Sequence, residues 1–122
     1  AGLLAAGQAS GDRLWRIGIA DPLHHGRLAL VVTGRDFAVA TSGVAERREH
    51  IIDPYTGLPP AGLASITVVG ARLAETDAYA TAAFAMGSAA RDWVEGLDGY
   101  EAFAVTAAGA TWRTSGFGRY LG

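Results

Sequence analysis

Asp77 and Thr81 stand four residues apart in an alanine-rich stretch, a spacing that puts both side chains on one face of a helix. A carboxylate and a hydroxyl are hard oxygen donors, suited to holding magnesium against a phosphate ester. With a helix starting at Thr76, Asp77 falls in the first turn, where free N–H groups also attract anions. The same pair equally reads as a dipole-favouring acid beside a filler threonine. A second concentration of chemistry is His50-Ile51-Ile52-Asp53-Pro54-Tyr55-Thr56-Gly57-Leu58-Pro59. Its histidine can serve as acid, base or hydrogen-bond donor near neutral pH, or be a solvated or core-bonded histidine before an Asp-Pro turn. A third, Thr41-Ser42-Gly43, ends a strand with two hydroxyls and a permissive glycine. Such a turn can offer N–H groups to a phosphate or a ring edge, and ordinary turn chemistry explains it equally well.

Other groups carry less. His24 and His25 are adjacent, so regular structure points them apart, and they read as surface loop, with metal binding a minority alternative. Gly116-Phe117-Gly118 lacks the strand-to-helix setting of a dinucleotide fingerprint, and neither a Gly-x-Ser-x-Gly elbow nor a His-Glu-x-x-His pair is present.

The elements that must position these groups follow from periodicity. Leu14 to Ile19 is a strand closed by Asp21-Pro22. Leu28 to Thr33 and Phe37 to Thr41, joined by Gly34-Arg35-Asp36, are expected to form an antiparallel pair. Residues 42 to 64 carry turn chemistry and read as a long functional loop. Ser65 to Gly70 is a strand. The period then changes: Thr76 to Met86 is a helix with Tyr79, Ala82, Ala83 and Met86 on one face, Thr76 as N-cap and Gly87 as stop. A second helix runs from Ala89 to Glu95. Glu101 to Thr106 and Ala110 to Thr114 form a closing hairpin around Ala107-Ala108-Gly109. The fold class is α+β, a mixed or antiparallel sheet with two helices.

Composition bounds the chemistry further. The chain has 122 residues, ten basic and twelve acidic, a net charge of -2 and no cysteine. Near-neutrality gives no electrostatic reason to expect nucleic acid as a partner. Without cysteine there is no disulfide, no thiolate catalysis and no cysteine-bound zinc. All ten basic residues are arginine, so neither a Schiff base nor a phosphate-binding P-loop lysine can be built. No apolar run reaches the length of a membrane span, about 18 residues. The opening Ala1-Gly2-Leu3-Leu4-Ala5-Ala6 lacks a basic region and reads as a chain entered partway through an element.

The order of these segments resembles one family. Trp15-Arg-Ile-Gly-Ile-Ala-Asp-Pro22, Ala40-Thr-Ser-Gly43, the His50–Pro59 block, Ser65-Ile-Thr-Val-Val69, Thr76-Asp-Ala-Tyr-Ala-Thr-Ala82 and Met86-Gly87 together look like the C-terminal part of an FAD:protein FMN transferase, the ApbE-like flavin transferases. The fold expected is therefore part of an ApbE-like fold, with residues 1–122 as its C-terminal segment. The resemblance implies magnesium-dependent transfer of FMN from FAD, as substrate, to a threonine hydroxyl of an acceptor flavoprotein, with release of AMP. It makes Asp77 and Thr81 the metal ligands and His50 the group that orients or deprotonates the acceptor hydroxyl. Thr41, Ser42 and Gly43 line the flavin site, and Ile52 supplies an apolar or backbone FAD contact. Family members are more than twice this length, and their N-terminal half carries an Asp-x-x-x-Lys-Gly segment that a lysine-free chain cannot contain. A separate N-terminal half is thus an expected partner. The alternative is a non-catalytic flavin-binding or scaffold domain. The family is bacterial and includes exported, lipid-anchored and cytoplasmic members.

Overall fold

The computed structural model describes residues 2–9, 13–43 and 62–121. Among these the chain runs β1 (Gly2–Ala9), β2 (Trp15–Ala20), β3 (Leu28–Gly34), β4 (Phe37–Gly43), β5 (Leu63–Gly70), α1 (Leu73–Met86), α2 (Ala90–Glu95), β6 (Glu101–Thr106) and β7 (Thr111–Arg113). Short 3-10 turns at Gly87–Ala89 and Phe117–Tyr120 complete it. Five strands make one antiparallel sheet in the order β1-β4-β5-β6-β7, and β2 and β3 make a second of two strands. The α+β, antiparallel architecture expected from the sequence is what the chain adopts.

Three layers result. The helices cover one face of the five-stranded sheet, where Ala80, Ala83, Ala90 and Val94 meet Ala40, Ile66 and Val68. The β2–β3 pair and the C-terminal turn cover the other, where Ile19, Val32 and Phe117 meet Val39, Val69 and Phe103. β5 is buried at every position, as a central strand sandwiched between two layers must be. Its sequence is accordingly an apolar run broken only by small hydroxyls.

One strand pairing differs from expectation. β3 pairs with β2, whereas β4 is flanked by β1 and β5. The Arg35-Asp36 link does not close a hairpin; Asp36, at φ 49°, carries the chain from one sheet into the other. Leu30 and Val32 of β3 and Phe37 and Val39 of β4 then belong to one core, packed across layers rather than edge to edge. Stacking buries both apolar faces, which edge pairing in one sheet would leave on the same side.

The helix also starts earlier than its apolar pattern indicates. Leu73 opens α1, Arg72 is its N-cap without a side-chain bond, and Thr76 lies inside it, its Oγ1 donating to the Arg72 carbonyl at 2.6 Å. Thr76 therefore does not cap the helix. The buried face is Thr76, Ala80 and Ala83, while Met86 is exposed. Tyr79 instead packs edge-on against Trp93 and Tyr100, with ring centroids 5.6 and 4.8 Å away. Burial pushes the Tyr100 hydroxyl up to about 12, helped by its hydrogen bond to the Glu75 carboxylate, so it stays a donor to that helix. Gly87 ends α1 at φ 60°, as expected.

The C-terminal turn is held by acids. Glu101 accepts from Thr114 Oγ1 at 2.6 Å and the Gly116 amide at 3.0 Å, and Arg119 lies 3.3 Å from its second oxygen. Glu95 accepts from the Ser115 amide and hydroxyl. Glu101→Ala leaves the Thr114 hydroxyl only a 3.4 Å bond to the Ala102 carbonyl and orphans the Gly116 N–H; an expected loss of about 1–3 kcal/mol in urea denaturation follows.

The β2–β3 connection holds the two histidines at the surface. Asp21 accepts from the Leu23 amide and pairs with His24 Nδ1, each at 2.9 Å. Burial raises the Asp21 carboxyl, but those hydrogen bonds outweigh it and hold it below its ordinary value. A lowered carboxylate pKa contributes stability above its unfolded value, about 3.9, that is lost as pH falls through the folded value. Asp21→Asn is expected to be less stable than wild type at pH 7, with the gap closing below about pH 4 in thermal melts.

Candidate functional site

Strand alternation sends Thr41 and Ser42 to opposite faces of the five-stranded sheet. Thr41 stands directly opposite Thr67 of β5, and their hydroxyls are 2.8 Å apart. Ser42, fully buried, turns to the helix side, where its Oγ lies 3.5 Å from Thr81 Oγ1. Two groups that the sequence separates by 39 residues are thus brought to one place. The cause is the small-residue contact of α1 with the sheet, which lets the helix sit close over β4.

Asp77 lies one turn before Thr81 on the same flank of α1, half-buried. It is the fifth residue of a helix that begins at Leu73, so the first-turn acid is Glu75 and not Asp77. The field of the free N-terminal N–H groups fades within the first turn and does not explain an acid at Asp77. Among the described residues nothing hydrogen-bonds or ion-pairs with its carboxylate. A half-buried carboxylate beside an exposed hydroxyl is a donor set that fits a hard divalent cation. Among the described residues no three His, Cys, Asp or Glu side chains gather to complete such a site. Further oxygens would come from hydroxyls, backbone or a phosphate.

Gly43 closes β4 beside Ser65. A Cβ there would lie 2.5 Å from the Ala64 carbonyl oxygen, so the two backbones approach as only glycine allows. The chain leaves the described residues one position later and re-enters at Gly62, whose carbonyl accepts from the Ala107 amide. His50 and Ile52 belong to residues 44–61, outside the described residues, as does most of the expected functional loop.

Thr67 escapes a reading by motif. It is fully buried and is the hydrogen-bond partner of Thr41. The signal available was a threonine inside an otherwise apolar central strand, a polar group that burial obliges to find a partner.

Comparison with known proteins adds a family context. A model described as the ApbE family matches residues 2–104. The chain is 42% identical over 90 residues to an FAD:protein FMN transferase of Treponema pallidum (strain Nichols), covering 65% of this chain and 25% of that protein. An FAD:protein FMN transferase of Rhodobacter capsulatus is 37% identical over 91 residues, covering 68% of this chain and 17% of its own. The apo form of the Pseudomonas stutzeri flavinyl transferase ApbE aligns with a TM-score of 0.70 at 28% identity, over 99% of this chain and 42% of that one. This chain therefore spans a quarter or less of the two curated relatives.

The Gly43 contact is testable within one sheet. Gly43→Ala must push β4 from β5 and is expected to cost about 1–3 kcal/mol in urea denaturation. Gly7→Ala, with nothing within 4 Å of its added Cβ, is expected to leave stability unchanged.

Proposed function

This chain belongs to the ApbE family, and from that premise we propose that it supplies part of the site of a magnesium-dependent FAD:protein FMN transferase. The observation that carries the reading is the buried Ser42 hydroxyl 3.5 Å from Thr81 Oγ1, on a helix that carries Asp77 one turn earlier. The names of its relatives supply the substrate class, FAD, and the acceptor class, a protein.

The chemistry is a substitution at phosphorus. An acceptor threonine Oγ attacks the FMN phosphorus of FAD, the pyrophosphate P–O bond breaks, and AMP leaves with the bridging oxygen. The flavin remains on the threonine through a phosphoester, and the hydroxyl proton goes to a base, for which His50 is the proposed residue. Magnesium, when bound, neutralises charge on the pyrophosphate and the departing phosphate. Asp77 and Thr81 are the residues proposed to hold it. Ser42 keeps the Thr81 hydroxyl turned toward the sheet end, and Thr67 fixes the direction of the Thr41 hydroxyl. With Gly43 and Ile52, these residues are proposed to place the flavin. Catalysis of this kind is positioning and electrostatics, and a fixed array of small polar groups meets that need.

Incubating the chain with FAD, magnesium and an acceptor flavoprotein, with and without a supplied N-terminal half of the family fold, tests the reading. AMP release matched by flavin on the acceptor is expected when both parts are present. Binding of FAD without AMP release in either mixture would instead assign a flavin-binding scaffold. Asp77→Ala is expected to lower the rate by about two orders of magnitude or more and to remove its magnesium dependence; an unchanged magnesium response would reject Asp77 as ligand.

A further inference from the structure

Five hydroxyl side chains are buried among the described residues: Ser42, Ser65, Thr67, Thr76 and Thr114. Four of them have a hydrogen-bond partner: Thr81 for Ser42, Thr41 for Thr67, the Arg72 carbonyl for Thr76 and Glu101 for Thr114. Ser65, 3% exposed, has none among the described residues. The register explains why. Ser65 stands opposite Gly43 on β4 and Val105 on β6, one without a side chain and the other without a polar atom. A Cβ on Gly43 would lie 2.9 Å from the Ser65 Cβ, so a polar side chain has no room there. Thr67, two residues on and on the same face, is already engaged with Thr41. A buried hydroxyl without a partner costs free energy, and native proteins satisfy nearly all such groups, so this one asks for a use.

Its surroundings narrow that use. The face of the sheet that holds Ser65, Thr67 and Thr41 also holds Val39, Val69, Phe103 and Val105, which belong to the core beneath β2–β3. Neither β4 nor β5 carries a charged residue. A phosphate brought here would lose hydration with no counter-charge in return. A neutral polar atom on the rim of a planar ring fits better: the hydroxyl bonds the atom, and the valines and Phe103 meet the carbon surface.

We propose that Ser65 is a ligand-contacting residue, its hydroxyl bonding the neutral polar edge of a ring system of FAD, isoalloxazine or adenine. The inference rests on the reading that the site takes FAD. To that reading it adds a residue on the sheet face away from α1, the helix that carries Asp77 and Thr81.

Ser65→Ala removes the hydroxyl and adds no bulk. Affinities for FAD, riboflavin and AMP are measured by calorimetric titration of wild type and variant, each combined with the N-terminal half of the family fold. The Tm of each chain is measured without ligand. FAD affinity is expected to fall about 3- to 10-fold in the variant. Affinity for one probe is expected to fall with it, riboflavin marking the isoalloxazine and AMP the adenine. The ligand-free Tm is expected to stay level or rise, because the variant loses an unpaired buried hydroxyl. Equal FAD affinity in the two proteins overturns the proposal. So does a lower ligand-free Tm, which would assign the hydroxyl to a structural partner such as a buried water. A loss for FAD that neither probe shares would put Ser65 on the phosphates or their linkers and also overturn it. FMN transfer by a wild type whose FAD affinity does not depend on Ser65 rejects this inference alone. Ser65-dependent FAD binding without AMP release rejects the transferase reading alone, and a wild type that binds no FAD rejects both.

Discussion

The close seating of α1 on the five-stranded sheet is the contact on which the rest depends. Thr76, Ala80 and Ala83 reach the sheet with no exposed surface, and Ala40, Ala102 and Ala104 receive the helices from below. A methyl is the largest group most of these positions present, so helix and sheet backbones come close together. Larger side chains would lift the helix and strain neighbours that are already close-packed. With the helix low, Thr81 meets Ser42, and Asp77 lies one turn earlier on the same helix. Six alanines, Ala40, Ala80, Ala83, Ala90, Ala102 and Ala104, make up that interface.

The second consequence is burial of β5 from both sides. A strand covered by helices on one face and by β2–β3 on the other cannot carry charge without a partner. Its polar residues are small hydroxyls, and Thr67 resolves its burial by pairing with Thr41. Polar groups at the sheet end are thereby held in fixed directions, which suits them to a site built for positioning. The acids around the C-terminal turn serve the fold in a different way. Glu95 and Glu101 satisfy the hydroxyl and amide groups of the Thr114–Gly116 segment and keep Phe117 in the core.

Much of this was legible along the chain. Turn chemistry bounded β2, β5 and the β6–β7 hairpin to within a residue or two, because Asp-Pro and Gly signals act locally. Gly87 ended α1 for the same reason. The start of α1 was misplaced because Thr76 is a good N-cap by type, whereas its hydroxyl bonds back to the Arg72 carbonyl inside the helix. The pairing of β3 with β4 failed differently. A short polar link between two apolar strands reads as a hairpin, and a corner between stacked sheets has the same local sequence.

What the sequence by itself determined was the elements other than β1, the α+β class, the family and the one-turn spacing of Asp77 and Thr81. These depend on dihedral preference, periodicity and motif order, which are properties of neighbouring residues. Only the tertiary structure decided that Thr81 meets Ser42 and that Thr67 partners Thr41. Each of these depends on which strands are neighbours and how close the helix lies. Strand order and layer spacing are set by burying apolar faces against one another across many tens of residues, and no local pattern encodes them.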